Sequence, residues 1–157
     1  MSLSIDDELN AVVKAPLFVS DSQIEDFVTK NKAWIEKAIL RKQNQLERYN
    51  LTQDEIDALV KEAKEYLPPK IEYYSNLMGV KPTGVKITSA KKRFGSCSGK
   101  NSICFSLYLM TYPKEAVDYV IVHELAHIKH HNHSKDFYKF IEQFMPDYKQ
   151  REQLLKK

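Results

Sequence analysis

Five histidines fall between positions 123 and 133, in the stretch His123-Glu-Leu-Ala-His127-Ile-Lys-His-His-Asn-His133. Residues four apart on a helix stand one above the other on the same face, so His123 and His127 can present two imidazoles to one cation. Zinc takes imidazole nitrogen at roughly 2.0–2.1 Å and, in catalytic sites, keeps three protein ligands and one open position. Glu124 lies about 100° further round the helix, beside such an ion rather than on it. There its carboxylate can take a proton from zinc-bound water, the mechanical content of an HExxH pattern. The plainer reading of the cluster is a polar helix end, because histidines near a C-terminus complement the helix dipole without any metal.

The third ligand must come from outside that helical turn, and His133 is the choice, with His130 or His131 as competitors. An unbroken helix would rotate His133 by about 600° from His127 and point it away. The helix therefore has to end and the chain turn back. Asn132 tolerates the left-handed conformation, and Ser134 can cap the next helix at once. The metzincin pattern has the same separations but a Gly where this chain has His130. A differently built turn is expected.

Elements that could position this cluster are legible on both sides. Leading into and through it, Val117, Val120, Ile121, Leu125 and Ile128 form an apolar stripe behind Pro113. Downstream, Phe137, Phe140, Ile141 and Phe144 continue from Ser134 towards Pro146. Val85 to Thr88 alternates as a strand, Gly95 to Asn101 reads as a turn-rich loop, and Ile103 to Leu109 as a second strand. The latter is the expected edge for a peptide substrate. Thr52 and Glu55 fit a capping box; the helix behind them is expected to break at Pro68-Pro69 and resume to Gly79 as its cap. Nearer the start, helical spacing runs from Ser20 through Trp34 to Ile39, and Ile39 to Asn50 reads as exposed helix or linker. Asn10 to Val19 suits a strand without an evident upstream partner, which suggests a shortened start.

The 157 residues carry 24 basic and 21 acidic groups, a net charge of +3. Residues 1–80 hold 10 basic and 14 acidic residues and residues 81–157 hold 14 and 7, so the total is composed of −4 and +7. The basic half also carries the histidines. Arg93, flanked by Lys91 and Lys92, is the candidate anion contact, with Ser96 in the loop beside it. No GxxxxGK[ST] phosphate loop is present. With 43% hydrophobic residues, 4 Gly and 6 Pro, the composition is that of a helix-leaning globular protein and excludes collagen-like and disulfide-built classes. No apolar run approaches the ~18 residues of a membrane span, and no secretory signal is visible. Cys97 and Cys104 form no framework, so both read as packing residues in a cytoplasmic protein.

The run Asp118-Tyr-Val-Ile-Val-His-Glu-Leu-Ala-His127, with Asn132-His133-Ser134, Phe137 and Pro146-Asp147-Tyr148, resembles the YgjP-like metallopeptidase family. Lys92-Arg93-Phe94-Gly95-Ser96-Cys97-Ser98, Ala15-Pro16 and Lys32-Ala-Trp34-Ile35 extend the likeness over nearly the whole chain. Phe94 replaces the family's usual Trp, and Ser106 its usual Asn. The resemblance implies a compact zincin-like α+β domain, a small β-sheet packed on the active-site helix. On this reading residues 51–157 are the hydrolase domain and residues 1–50 a strand and helix region of a mainly helical N-terminal half. It also implies one zinc ion on His123, His127 and His133, Glu124 as catalytic carboxylate, and a peptide, protein or nucleotide substrate. The alternatives are nucleoside-triphosphate pyrophosphatase activity on the same site, SprT-like cleavage of proteins on DNA, and a non-enzymatic zinc-bearing module. Neither the oligomeric state nor a membrane partner is implied.

Overall fold

Asp6 builds the first turn of the chain by accepting hydrogen bonds from the backbone N–H of Glu8 at 3.0 Å and Asn10 at 2.8 Å, with Leu9 left-handed at φ 68°. In this computed structural model, which describes residues 1–156, the turn joins β1 (Ser2–Ile5) to β2 (Ala11–Lys14). The strands pair antiparallel, Ser2 opposite Lys14 and Ile5 opposite Ala11. The strand expected at Asn10 to Val19 is thus shorter than anticipated and has its partner upstream, in a segment too short and polar to stand out. Ser20 opens α1 (Asp21–Lys30) with a full capping box: Gln23 N–H donates to Ser20 Oγ, and Ser20 N–H donates to the Gln23 side chain. α2 (Lys32–Tyr49) follows across Asn31, so the polar stretch after Ile39 is helix. These elements form one unit, Met1–Asn50, and neither helix contains a buried residue.

The second unit begins at Leu51. Thr52 Oγ1 accepts from Glu55 N–H at 3.3 Å at the start of α3 (Gln53–Met78), which ends on left-handed Gly79 at φ 68°. α3 runs unbroken through Pro68 and Pro69, contrary to the break expected there. The two prolines withhold only the successive N–H groups that would reach Lys64 and Glu65. Ala63, Leu67, Ile71, Tyr74 and Met78 are buried along one face on either side of them, and that packing holds the helix together.

β3 (Gly84–Thr88), β4 (Gly95–Cys97) and β5 (Ser102–Ser106) form a sheet in the order β3-β5-β4, with β3 parallel and β4 antiparallel to β5. Two expectations change here. The segment read as a loop begins with a strand, β4, because pairing of Gly95 with Phe105 and Cys97 with Ile103 overrides the low β-propensity of Gly-Ser-Cys. The strand anticipated as the free edge, Ile103 to Leu109, supplies the central β5 and then a 3-10 turn over Leu107–Thr111. Ser106 keeps a hydrogen-bonding role: its hydroxyl donates to the Ala90 carbonyl and accepts from Tyr108 N–H.

α4 (Lys114–Lys129) is buried almost all round, from Ala116 through Val122 and again from Glu124 to Ala126, and packs on α3 and β4. Buried Asp118 ties it to α3 by accepting from the hydroxyls of Tyr66 and Tyr74. α5 (Lys135–Phe144), capped by Ser134, inserts Phe137 and Ile141 into the same core, and α6 (Tyr148–Leu154) follows Pro146. The result is an α+β architecture. Among the described residues no helix is long and apolar enough to cross a membrane.

Candidate metal centre

His123 and His127 face the same side of α4, and the helix stops two residues after His127. His130 ends it in an extended conformation, φ −131° and ψ 99°, while its N–H still reaches Ala126 O at 2.9 Å. That rotation aims the His130 carbonyl back at His127 Nδ1, 3.1 Å away. The chain then reverses and brings His133 alongside. Asn132 plays no left-handed part in the turn, because the only non-glycine positive φ angles among the described residues are at Leu9 and Asn101. The extended His130 does the work that the reading of Asn132 assigned to it.

His133 Nε2 lies 3.1 Å from His127 Nε2 and 3.3 Å from His123 Nε2. Two nitrogens each roughly 2.0–2.1 Å from one ion at the tetrahedral angle stand about 3.3 Å apart, so this donor set fits a small divalent cation. The opposite ring nitrogens support that use. His123 Nδ1 is 3.3 Å from the Tyr119 hydroxyl, and a proton on it donates there. A proton on His127 Nδ1 donates to the His130 carbonyl. Both tautomers leave Nε2 as a free lone pair, the arrangement found around metal-bound histidine. Burial lowers the pKa of His123 to about 4, helped by His127 and His133, and burial also lowers that of His127. Both rings are therefore neutral at pH 7, as ligation requires. Phe137, fully buried, touches all three imidazoles, with ring centroids at 5.0, 4.5 and 5.1 Å from His123, His127 and His133.

Glu124 is 7% exposed, and burial raises its carboxyl pKa to about 7. Gly95 of β4 admits it: a Cβ at that position would stand 3.1 Å from Glu124 Cγ and 3.0 Å from the Cys104 carbonyl oxygen. A cavity of about 380 Å³ opens over these groups, walled by the three histidines, Glu124, His131, Gly95, Cys97, Arg93 and Ser96. Arg93 and Ser96 thus reach the site, whereas Lys92 is exposed and not among its walls. His130 turns its ring to Phe140, and only His123, His127 and His133 bring their nitrogens within 4.8 Å of one another among the described residues. A larger cavity, about 780 Å³ between α3 and β3, is lined by none of these groups, so size does not locate the chemistry here.

Sequence reasoning missed Tyr119, Phe137 as a scaffold for imidazoles, Gly95 as the opening for Glu124, and Cys97 as a wall of the cavity. Tyr119 was findable, since it lies four residues before His123 on the same helical face. Tyr138 stacks on His133 at 6.4 Å, while Tyr108 and Tyr112 are buried.

The chain is similar to the crystal structure of the metallopeptidase zymogen of Pyrococcus abyssi abylysin, with a TM-score of 0.51 and 25% identity. That match covers 55% of this chain and 89% of the other. No curated protein matches. The YgjP-like metallopeptidase domain matches residues 1–58 and 42–157, which together span the chain. A metallopeptidase of this kind depends on a divalent metal, for which the three converging imidazoles are the chemically suited donors. With its α+β fold and HExxH-bearing helix α4, the chain belongs to the YgjP-like metallopeptidase family.

Proposed function

We propose that this protein is a zinc-dependent metallopeptidase of the cytoplasm, with one ion held by Nε2 of His123, His127 and His133 and with Glu124 as general base. The observation that carries the reading is the approach of His133 Nε2 to within 3.1 Å of His127 Nε2 and 3.3 Å of His123 Nε2, beside a buried carboxylate. The ion, when bound, supplies Lewis acidity that polarises a carbonyl and makes water easier to deprotonate. Glu124 accepts the proton of the attacking water and then gives it to the departing amine. Tyr119 and the His130 carbonyl hold the first two imidazoles in orientation, and Phe137 fixes the spacing of all three. The free edge of β4 offers backbone groups to an extended peptide beside Glu124, in place of the edge anticipated at Ile103 to Leu109. Arg93, on the wall of the same cavity, takes a carboxylate of the substrate.

Arg93 would equally take a phosphate, which is the one observation favouring a nucleoside triphosphate as substrate. The deciding experiment assays zinc-loaded wild type and Glu124→Gln on a peptide library and on nucleoside triphosphates together. Peptide turnover lost in Glu124→Gln at unchanged zinc content is the expected result. Turnover of nucleotides alone would replace the peptidase reading, and wild-type activity in Glu124→Gln would remove the carboxylate from the mechanism.

A further inference from the structure

A second cavity, of about 270 Å³, lies directly beside the metal cavity and shares Gly95, His123 and Glu124 with it. Its character differs. Phe94, Val120 and Leu155 give it apolar walls, and Tyr119, whose hydroxyl is engaged with His123 Nδ1, lines it as well. We propose that this cleft is a specificity pocket that receives one bulky apolar side chain, Leu, Met or Phe, from a residue flanking the peptide bond to be cut. The inference rests on the peptidase reading above.

Three observations bear on it. Its volume is below the roughly 300–1,000 Å³ of sites for whole drug-sized ligands, which suits a single side chain. Side chains of an extended peptide alternate between faces. A peptide laid along β4 over Glu124 therefore directs one flanking residue towards the shared wall and the next away from it. Besides the shared Glu124, the charged residues lining the cleft are Glu152 and Lys156, and its other new walls are apolar or aromatic. A charged substrate side chain would give up its hydration against the Phe94, Val120 and Leu155 walls, whereas an apolar one gains by leaving water. Leu155, just past the end of α6, is then the residue that sets the depth.

The test combines cleavage and binding. Zinc-loaded wild type is assayed on peptides varied at each residue flanking the cut. In parallel, binding of the same peptides, acetylated and amidated, to Glu124→Gln is followed by NMR. Leu, Met or Phe at one flanking position should exceed Ala and Asp in kcat/KM by about tenfold or more. Leu155→Trp should abolish that preference at unchanged metal content, and Leu155→Ala should move the optimum to larger side chains. Unfolding midpoints show whether each variant folds; should Leu155→Trp not fold, Leu155→Ala decides. An unaltered preference in the folded variants overturns the pocket. If no peptide is cleaved, the peptidase reading fails and binding alone judges the cleft. Perturbation of Phe94 and Leu155 signals by Leu peptides but not Ala peptides then sustains it, and the lack of any such difference overturns it too.

Discussion

His127 and His133 hold their Nε2 atoms 3.1 Å apart across a chain reversal of six residues. His133 Nε2 also faces His123 Nε2 at 3.3 Å, and the single proton it could carry can bridge only one of these gaps. With Nδ1 protonated on His123 and His127, hydrogen bonding therefore satisfies at most one of these two contacts. A cation at the common point satisfies all three rings at once.

His133→Ala should lower zinc affinity by about a hundredfold or more, beyond the 10–100-fold typical of changes to outer hydrogen-bond partners. His133 is exposed, so the metal-free fold should be nearly unaffected. Competition against a chromophoric chelator measures the first effect and thermal unfolding in chelator the second. Undiminished affinity would remove His133 from the donor set.

Tyr119→Phe should weaken zinc binding roughly tenfold, because His123 Nδ1 loses the oxygen that fixes its tautomer and tilt. The stability change should be only about 1 kcal/mol, the usual net worth of one hydrogen bond. A Tyr119→Phe protein that binds zinc as tightly as wild type would show that the Phe137 contacts alone orient the ring.

The His123, Glu124 and His127 cluster was readable because helical periodicity alone puts the two rings on one face. His133 was readable as well, since Ser134 announces a new helix directly after it. The means of reversal was not: extended His130 is set by its carbonyl meeting the ring nitrogen of His127 three residues back, a contact that the residue types alone do not announce. β4 escaped for a related reason, as Gly-Ser-Cys becomes a strand only through pairing with β5. The prolines of α3 misled because their local cost is visible in sequence while the buried face that outweighs it is not.

Gly95→Ala should impair turnover more than metal binding. The added methyl would stand 3.1 Å from Glu124 Cγ and 3.0 Å from the Cys104 carbonyl oxygen, and of the two the side chain yields more readily. Displacing the carboxylate by even a few tenths of an ångström should lower kcat by about tenfold. Overpacking should cost about 1–3 kcal/mol of stability. Zinc content and kcat, measured together, separate this from a ligand defect; equal losses in both would contradict it.

Glu124→Gln should stabilise the metal-free protein at pH 8 and lose that advantage in acid. The folded carboxyl has a pKa of about 7 against 4.5 in its ordinary state, raised by burial. Below 4.5 the group is protonated whether folded or unfolded and costs nothing. As pH rises from 4.5 the unfolded chain ionises freely while the folded one resists, so the wild type loses stability until about pH 7 and no more beyond it. The shift corresponds to a penalty on the order of 3 kcal/mol above pH 7, which the neutral amide escapes. His123 runs the other way, its pKa of about 4 penalising the fold as pH falls below 6.5. It is present in both proteins, so the difference between them reports Glu124. Urea unfolding in chelator from pH 4 to 8 should show the two stabilities diverging upward through this window. A gap independent of pH would mean that the folded carboxyl titrates at its ordinary value and that burial does not raise it.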